Sequence, residues 1–252
     1  MNAHDILRHI DEGANHFLRT LAAAPHLTCM DAGGFTVIRP KEGQEGVFFV
    51  CGLQLEGCTP SQWRDIISRA KATGLTVWFP LLSTDEQFAC FFGRERIHGA
   101  PLAADDEVYM ALFPHELTAV SLAPPVVRAK DAATFADCAA VVNAVLSDGR
   151  PDLHPTHHLP LMKNGQLHAY VLYFEGTPVS AAVTMCKDGV ASLEFVATLP
   201  TFRCRGYAEA VCRQAVQDAL NRGARLVTVR AVNAAAARLY ERLGFRSYNH
   251  AL

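Results

Sequence analysis

Residues 190–208 read Val-Ala-Ser-Leu-Glu-Phe-Val-Ala-Thr-Leu-Pro-Thr-Phe-Arg-Cys-Arg-Gly-Tyr-Ala: a strand-like run, a basic loop and the start of a helical pattern. The first turn of a helix carries unpaired N–H groups and the positive end of the helix dipole, so an open loop leading into it suits phosphate oxygens. Gly206 and the small Ala208 keep bulk out of that approach, and Arg203 and Arg205 add charge beside it. Taken alone, R-x-x-G-x-A is a weak string whose plainer meaning is a helix N-terminus with two solvated arginines. Two further groups suited to proton transfer stand upstream. Glu194 sits in the strand-like run, and His154, His157 and His158 crowd a loop where a histidine would titrate near neutral pH.

The elements that must position these residues are set by periodicity and caps. Residues 126–130 read as a strand, and Asp131 caps a helix with Ala132, Phe135, Ala139, Val142, Val145 and Leu146 on its apolar face. Residues 148–160 read as an irregular loop. Residues 167–175, 178–187 and 190–198 read as three antiparallel strands, turning at Gly176-Thr177 and Asp188-Gly189. A helix runs from Gly206 to Gly223, a strand spans 226–230, and Asn233 caps a helix from Ala234 to Leu243 that Gly244 ends, with 245–248 extended.

The basic loop and the last helix each match a known pattern. Arg203 to Ala208 resembles the Q/R-x-x-G-x-G/A pyrophosphate loop of the GNAT superfamily of acetyltransferases. The run N-A-A-A-A-R-L-Y-E-R-L-G-F, Asn233 to Phe245, looks like that superfamily's second signature, in the expected order and one helix and one strand later. The resemblance covers residues 126–248, with its specific part at 196–245. Two departures stand out: Cys204 occupies the place of the loop's first glycine, and Ala208 that of its last.

The resemblance implies an α/β (α+β) GNAT fold, a mixed and mostly antiparallel sheet flanked by helices. It implies acetyl-CoA as co-substrate, with the backbone of Val196, Ala197 and Thr198 lining the pantetheine arm and Arg203, Cys204, Arg205, Gly206, Tyr207 and Ala208 holding the pyrophosphate. Asn233 would bond the pantetheine region. Tyr240 matches the tyrosine that protonates the departing thiolate, although Ala236, Leu239, Tyr240 and Leu243 also read as a buried helix face. The family's glutamate position corresponds to Ser192. Glu194 lies two residues on and, by a period of 2, shares a face with Ser192, Val196 and Thr198, so it is the candidate base, with a merely paired carboxylate as the plain alternative. In the family the loop holding His154, His157 and His158 lines the acceptor site. Cys204 reads as a steric variant rather than a nucleophile.

The whole chain bounds these readings. Its 252 residues, half of them hydrophobic, suggest two domains, and the prolines at 124 and 125 put the junction at residues 121–125, giving domains 1–123 and 124–252. In the first, residues 5–24 read as an amphipathic helix, 34–39 and 46–51 as strands, and helices start at Thr59 and Thr84 with capping boxes. Strands at 75–79 and 107–112 complete it. The order of residues 46–112 is similar to that of residues 190–248, without an arginine in the loop or a tyrosine in the short helix, so the first half reads as a degenerate GNAT-like copy in a tandem arrangement. It is expected to cover the sheet edge near the last strand and to wall the acceptor pocket.

A net charge of −2, evenly spread, argues against nucleic acid, and no uncharged run nears the ~18–20 residues of a membrane span. The polar start at Met1–Ile10 does not read as a signal peptide, so a cytoplasmic protein, monomer or homodimer, is expected. The eight cysteines form no C-x-x-C pair and read as buried free thiols, and H-x-x-H-H has no supporting ligands, so no metal is expected. The leading function is transfer of an acetyl group to the amine of a small molecule by direct attack in a ternary complex. The alternatives are a non-catalytic acyl-CoA-binding module and a transferase acting on a protein or hydroxyl acceptor.

Overall fold

Apolar residues recurring at helical spacing, with Asn2 and Asp5 as a reciprocal capping box, form α1 (Ala3–Ala22), which buries Ile6, Leu7, Ile10, Ala14 and Phe17. The computed structural model describes residues 1–46, 48–96, 107–118, 124–147 and 152–249, and it divides into two compact units between residues 101 and 102. In the first, β1 (Leu27–Asp31), β2 (Thr36–Pro40) and β3 (Phe49–Cys51) are antiparallel. Helix α2 (Pro60–Ala72) then crosses over to β4 (Thr76–Val77), parallel to β3. Helix α3 (Asp85–Phe92) comes next, its Thr84 and Gln87 forming the capping box read from sequence and Gly93 ending it at φ 68°. Phe35, Val50, Trp63, Ile66, Ile67 and Phe79 make this unit's core.

The second unit is built on a seven-stranded sheet. Its elements in chain order are β5 (Val108–Leu112), β6 (Val126–Arg128), α4 (Ala132–Leu146), α5 (Leu159–Lys163), β7 (His168–Phe174), β8 (Thr177–Lys187), β9 (Val190–Thr198), α6 (Tyr207–Asn221), β10 (Leu226–Ala231), α7 (Ala234–Leu243) and β11 (Arg246–Ser247). The spatial order is β11-β5-β10-β9-β8-β7-β6, antiparallel except for β9 beside β10. Both hairpins turn on two consecutive residues at positive φ, Glu175-Gly176 and Asp188-Gly189, the geometry that matches strand twist. Helices α6 and α7 cover one face, where Val211, Cys212, Ala215, Tyr240 and Leu243 pack on Tyr170, Ala182, Ala191 and Leu193. The residues that alternate with these, Ala169, Val171, Ala181 and Val183, face the other way, toward α4. The chain is thus a mixed α/β protein whose sheets are flanked by helices, as the sequence implied.

Several sequence expectations change. The strand read at 107–112 as part of the first half is a member of the second unit's sheet, lying between β10 and β11, because its apolar Val108, Met110 and Leu112 fit the core under α6 and α7. That strand lines β10 on its far side from β9. The junction read at 121–125 falls partly outside the described residues, as does the start of the loop at 148–160. The end of that loop runs into a helix, α5, with Pro160 in its first turn, too short to show a period. Strand β1 has a mostly exposed pattern and left no alternation to read. All eight cysteines are free, but only Cys51, Cys138 and Cys212 are buried; Cys29, Cys90, Cys186 and Cys204 are exposed, having been placed by neighbours in sequence rather than in space. Among the described residues no helix is long and apolar enough to cross a membrane, and no cluster of side chains could hold a metal ion.

Candidate functional site

The sheet opens between β9 and β10. Strand β9 pairs with β8 as far as Thr198, but with β10 only as far as Leu193, which faces Val229. Strand β10 meanwhile continues beside β5 to Ala231. The two parallel strands therefore part company at Leu193 and Val229, and residues 194–198 run along a gap. A bulge sharpens the divergence. Two residues, Phe195 and Val196, oppose the single Ala182, and Phe195 takes φ 50°, which bends the strand and increases its twist.

The bulge also overturns the face assignment. Counting by two put Glu194 with Val196 and Thr198, but the extra residue resets the alternation. Glu194 opposes Val183 and Ala197 opposes Ala181, so these share Ser192's face, while Thr198, opposite Ser180, falls on the face of Leu193. There Thr198 Oγ1 and Ser180 Oγ are 2.8 Å apart, and Ser180 also donates to the Ala197 carbonyl at 3.0 Å.

At the end of β9 the chain makes one turn of 3-10 helix, Pro200–Phe202, and Arg203 folds back so that its Nε donates to the Thr198 carbonyl at 3.2 Å. The Phe202 ring packs at a tilt against Phe174, and the Arg205 guanidinium lies 5.4 Å from the Phe202 ring centroid, which helps to fix the loop. Cys204 and Gly206 both hold positive φ, 59° and 78°. That tight path delivers the chain to the start of α6, whose N-cap Gly206 offers no capping side chain. Arg203, Cys204, Arg205 and Gly206 are all exposed. An uncapped helix N-terminus flanked by two arginines, at the end of a parted strand pair, fits a pyrophosphate with a thin arm running into the gap.

Glu194 and Tyr240 come to that gap from different elements. The Glu194 side chain is 11 % exposed, and Arg230 Nη2 lies 3.4 Å from its Oε2. Burial pushes the Glu194 carboxyl upward, against the pull of Arg230, and the neighbouring Glu107 pushes it the same way. Ser192 Oγ is buried close enough to favour the carboxylate's charge without a hydrogen bond of normal geometry. Tyr240, 4 % exposed, packs against Phe245 and Cys212, and burial first, then the charges of Cys212 and Glu194, holds its phenol well above the ordinary value. Among the described residues nothing hydrogen-bonds its hydroxyl.

A family model described as the acetyltransferase (GNAT) family matches residues 135–245, a span holding the parted strands, the basic loop and α7. Residues 135–245 are a GNAT acetyltransferase domain. The full chain is similar in fold to a GCN5-related N-acetyltransferase from Kribbella flavida, at 18 % identity and a TM-score of 0.60, covering 93 % of this chain and 90 % of that one. It is likewise similar to a GNAT-family protein from Novosphingobium aromaticivorans, at 17 % identity and TM-score 0.51, covering 93 % of both chains. A conserved protein of unknown function from Staphylococcus epidermidis matches at 14 % identity and TM-score 0.53 over 80 % of each chain. No curated protein sequence matches significantly.

The remaining residues singled out in the GNAT domain take up different positions. Asn233 is the N-cap of α7: its Oδ1 accepts from the Ala236 N–H at 2.9 Å, which leaves the amide nitrogen for a ligand. His154 and His157 stack at 3.9 Å between centroids, and burial with the neighbouring His157 lowers the His154 pKa. Their loop is fastened to α4, since Asn143 exchanges two hydrogen bonds with the Leu153 backbone. His158 is only 1 % exposed, and its Nδ1 accepts from the His154 N–H at 2.8 Å, so it holds the turn from inside rather than facing an acceptor. Arg230 and Glu107 escaped the sequence reading. The signal for Arg230 was available: a helical crossover makes β9 and β10 parallel neighbours, so charged residues at the ends of both meet.

Proposed function

We propose that the GNAT domain transfers an acetyl group from acetyl-CoA to the amine of a small molecule, by direct attack in a ternary complex. The observation that carries this reading is the gap between β9 and β10, with the uncapped, arginine-flanked start of α6 at one end and Glu194 and Tyr240 beside it. Bound acetyl-CoA supplies the activated thioester. Arg203 to Ala208 take the pyrophosphate, with the arm along Val196, Ala197 and Thr198 and the amide of Asn233 beside it. A backbone N–H fixed along residues 194–198 is suited to the thioester oxygen as negative charge builds on it. Glu194 removes the proton of the attacking amine, and Tyr240 donates its proton to the leaving sulfur, for which a buried phenol kept fully protonated is suited. His154 and His157 line the acceptor side.

For the first unit, β3, the crossover helix α2 and the parallel β4 repeat the order β9, α6, β10, which supports a degenerate copy of the fold. There the strands do not part in the same way, since Trp78 N–H bonds to the Val50 carbonyl at 2.7 Å just beyond the last parallel pair.

The test is to incubate the protein with acetyl-CoA and a panel of amines while following free thiol. Turnover with an amine, slowed at least about tenfold in Tyr240→Phe with acetyl-CoA affinity unchanged, is the expected result. Binding without turnover would leave an acyl-CoA-binding module, and turnover only with hydroxyl compounds or peptides would redirect the acceptor class.

A further inference from the structure

The guanidinium of Arg230 does not belong to Glu194 alone. Arg230 Nη2 is 3.4 Å from Glu194 Oε2, and Arg230 Nη1 is 3.8 Å from Glu107 Oε1. Close charge-assisted bonds run to about 2.7–2.9 Å, so the Arg230–Glu194 hydrogen bond is a stretched one, and the same guanidinium is shared with Glu107. The position of Glu107 is built in. Tyr109 faces Arg230 across the β5–β10 ladder, and Glu107 lies two residues before it, hence on the same face and diagonal to Arg230. The backbone there is clamped by Asn249, whose Nδ2 donates to the Glu107 carbonyl at 2.7 Å and whose Oδ1 accepts from the Tyr109 N–H at 2.6 Å.

We infer that Glu107 is a positioning residue for acetyl transfer: by holding the far side of Arg230 it keeps the Arg230–Glu194 pair stretched, so that Glu194 remains able to accept the amine proton. The inference rests on the reading of Glu194 as base. Arg230 locked against Glu194 would hold it as an inert carboxylate, while Arg230 withdrawn altogether would leave it protonated in a buried site. Sharing places it between these extremes. Among the described residues, the charged and titratable groups bearing on Glu194 are Arg230 from β10, Glu107 just before β5, and Tyr240 from α7, with the Ser192 hydroxyl on its own strand.

The test compares kcat against pH for the full-length protein and for Glu107→Gln, Glu107→Asp and Glu194→Gln, with one amine throughout so that its own ionisation cancels. In Glu107→Gln the acid limb should move to lower pH and the plateau kcat should fall about three- to tenfold, with the KM for acetyl-CoA unchanged. Glu107→Asp should lie between this variant and the parent, which guards against an effect of misfolding. A Glu107→Gln profile that superimposes on the parent's, or one in which only KM or thermal stability changes, overturns the inference while leaving the base in place. If Glu194→Gln keeps the acid limb and full turnover, the base reading itself is wrong, a distinct result that removes the ground for a role of Glu107.

Discussion

Residue by residue, the loop before α6 shows what one side chain costs in backbone strain. Cys204 holds φ 59°, a conformation that costs an L-residue roughly 1–2 kcal/mol, whereas glycine enters it freely. Part of that gain is lost to the freer unfolded chain, so Cys204→Gly should stabilise the protein by about 0.5–1 kcal/mol, read as a rise of a few degrees in Tm. Acetyl-CoA affinity should hold, because the loop path is unchanged. The arginines and Gly206 were legible in the sequence since helix-end chemistry is local. The bulge at Phe195 was not, because neither glycine nor asparagine marks it, and its effect on which side chains share Glu194's face appears only when β8 is laid alongside.

Single elements make a second kind of claim. Helix α7 starts at Asn233, whose side chain serves as cap and is also proposed to reach the cofactor. Asn233→Ala should cost about 1 kcal/mol of stability, while Asn233→Ser keeps a capping oxygen and should cost far less. Both should weaken acetyl-CoA binding, measured by calorimetry, if the amide nitrogen is the group used. The far end of α7 is a close approach: a Cβ on Gly244, at φ 109°, would come within 2.0 Å of the Glu116 carbonyl oxygen. The glycine that reads as a helix stop thus also makes room for the segment after β5. In the first unit, Asp11 of α1 accepts from the Trp78 indole at 3.1 Å and the Leu81 N–H at 2.8 Å. Burial raises its carboxyl from 3.8 to about 7. The folded state then binds this proton more tightly than the unfolded one, so this group's contribution to stability falls as pH rises from about 4 to about 7 and levels off above. Denaturant titrations across that range should show the decline in the parent and a flatter profile in Asp11→Asn.

At the scale of the whole molecule, the division of the chain makes the sharpest prediction. A fragment beginning at residue 102 keeps β5, and with it the partner of both β10 and β11. One beginning at residue 125 loses it, which bares the β10 edge and leaves the two-residue β11 unpaired. The longer fragment should show a cooperative thermal transition and resist proteolysis, and the shorter should not. The sequence by itself determined most helices, their caps, the two tight hairpins and the basic loop before α6, because each depends on residues a few positions apart. It also carried the family pattern from Arg203 to Phe245. Tertiary structure alone decided that β5 joins the second sheet, that β9 and β10 part after Leu193, and that Glu107, Arg230 and Glu194 meet. Strand pairing joins residues more than a hundred positions apart, as Val108 and Ala231 are, and no local propensity encodes which edge a strand will complete.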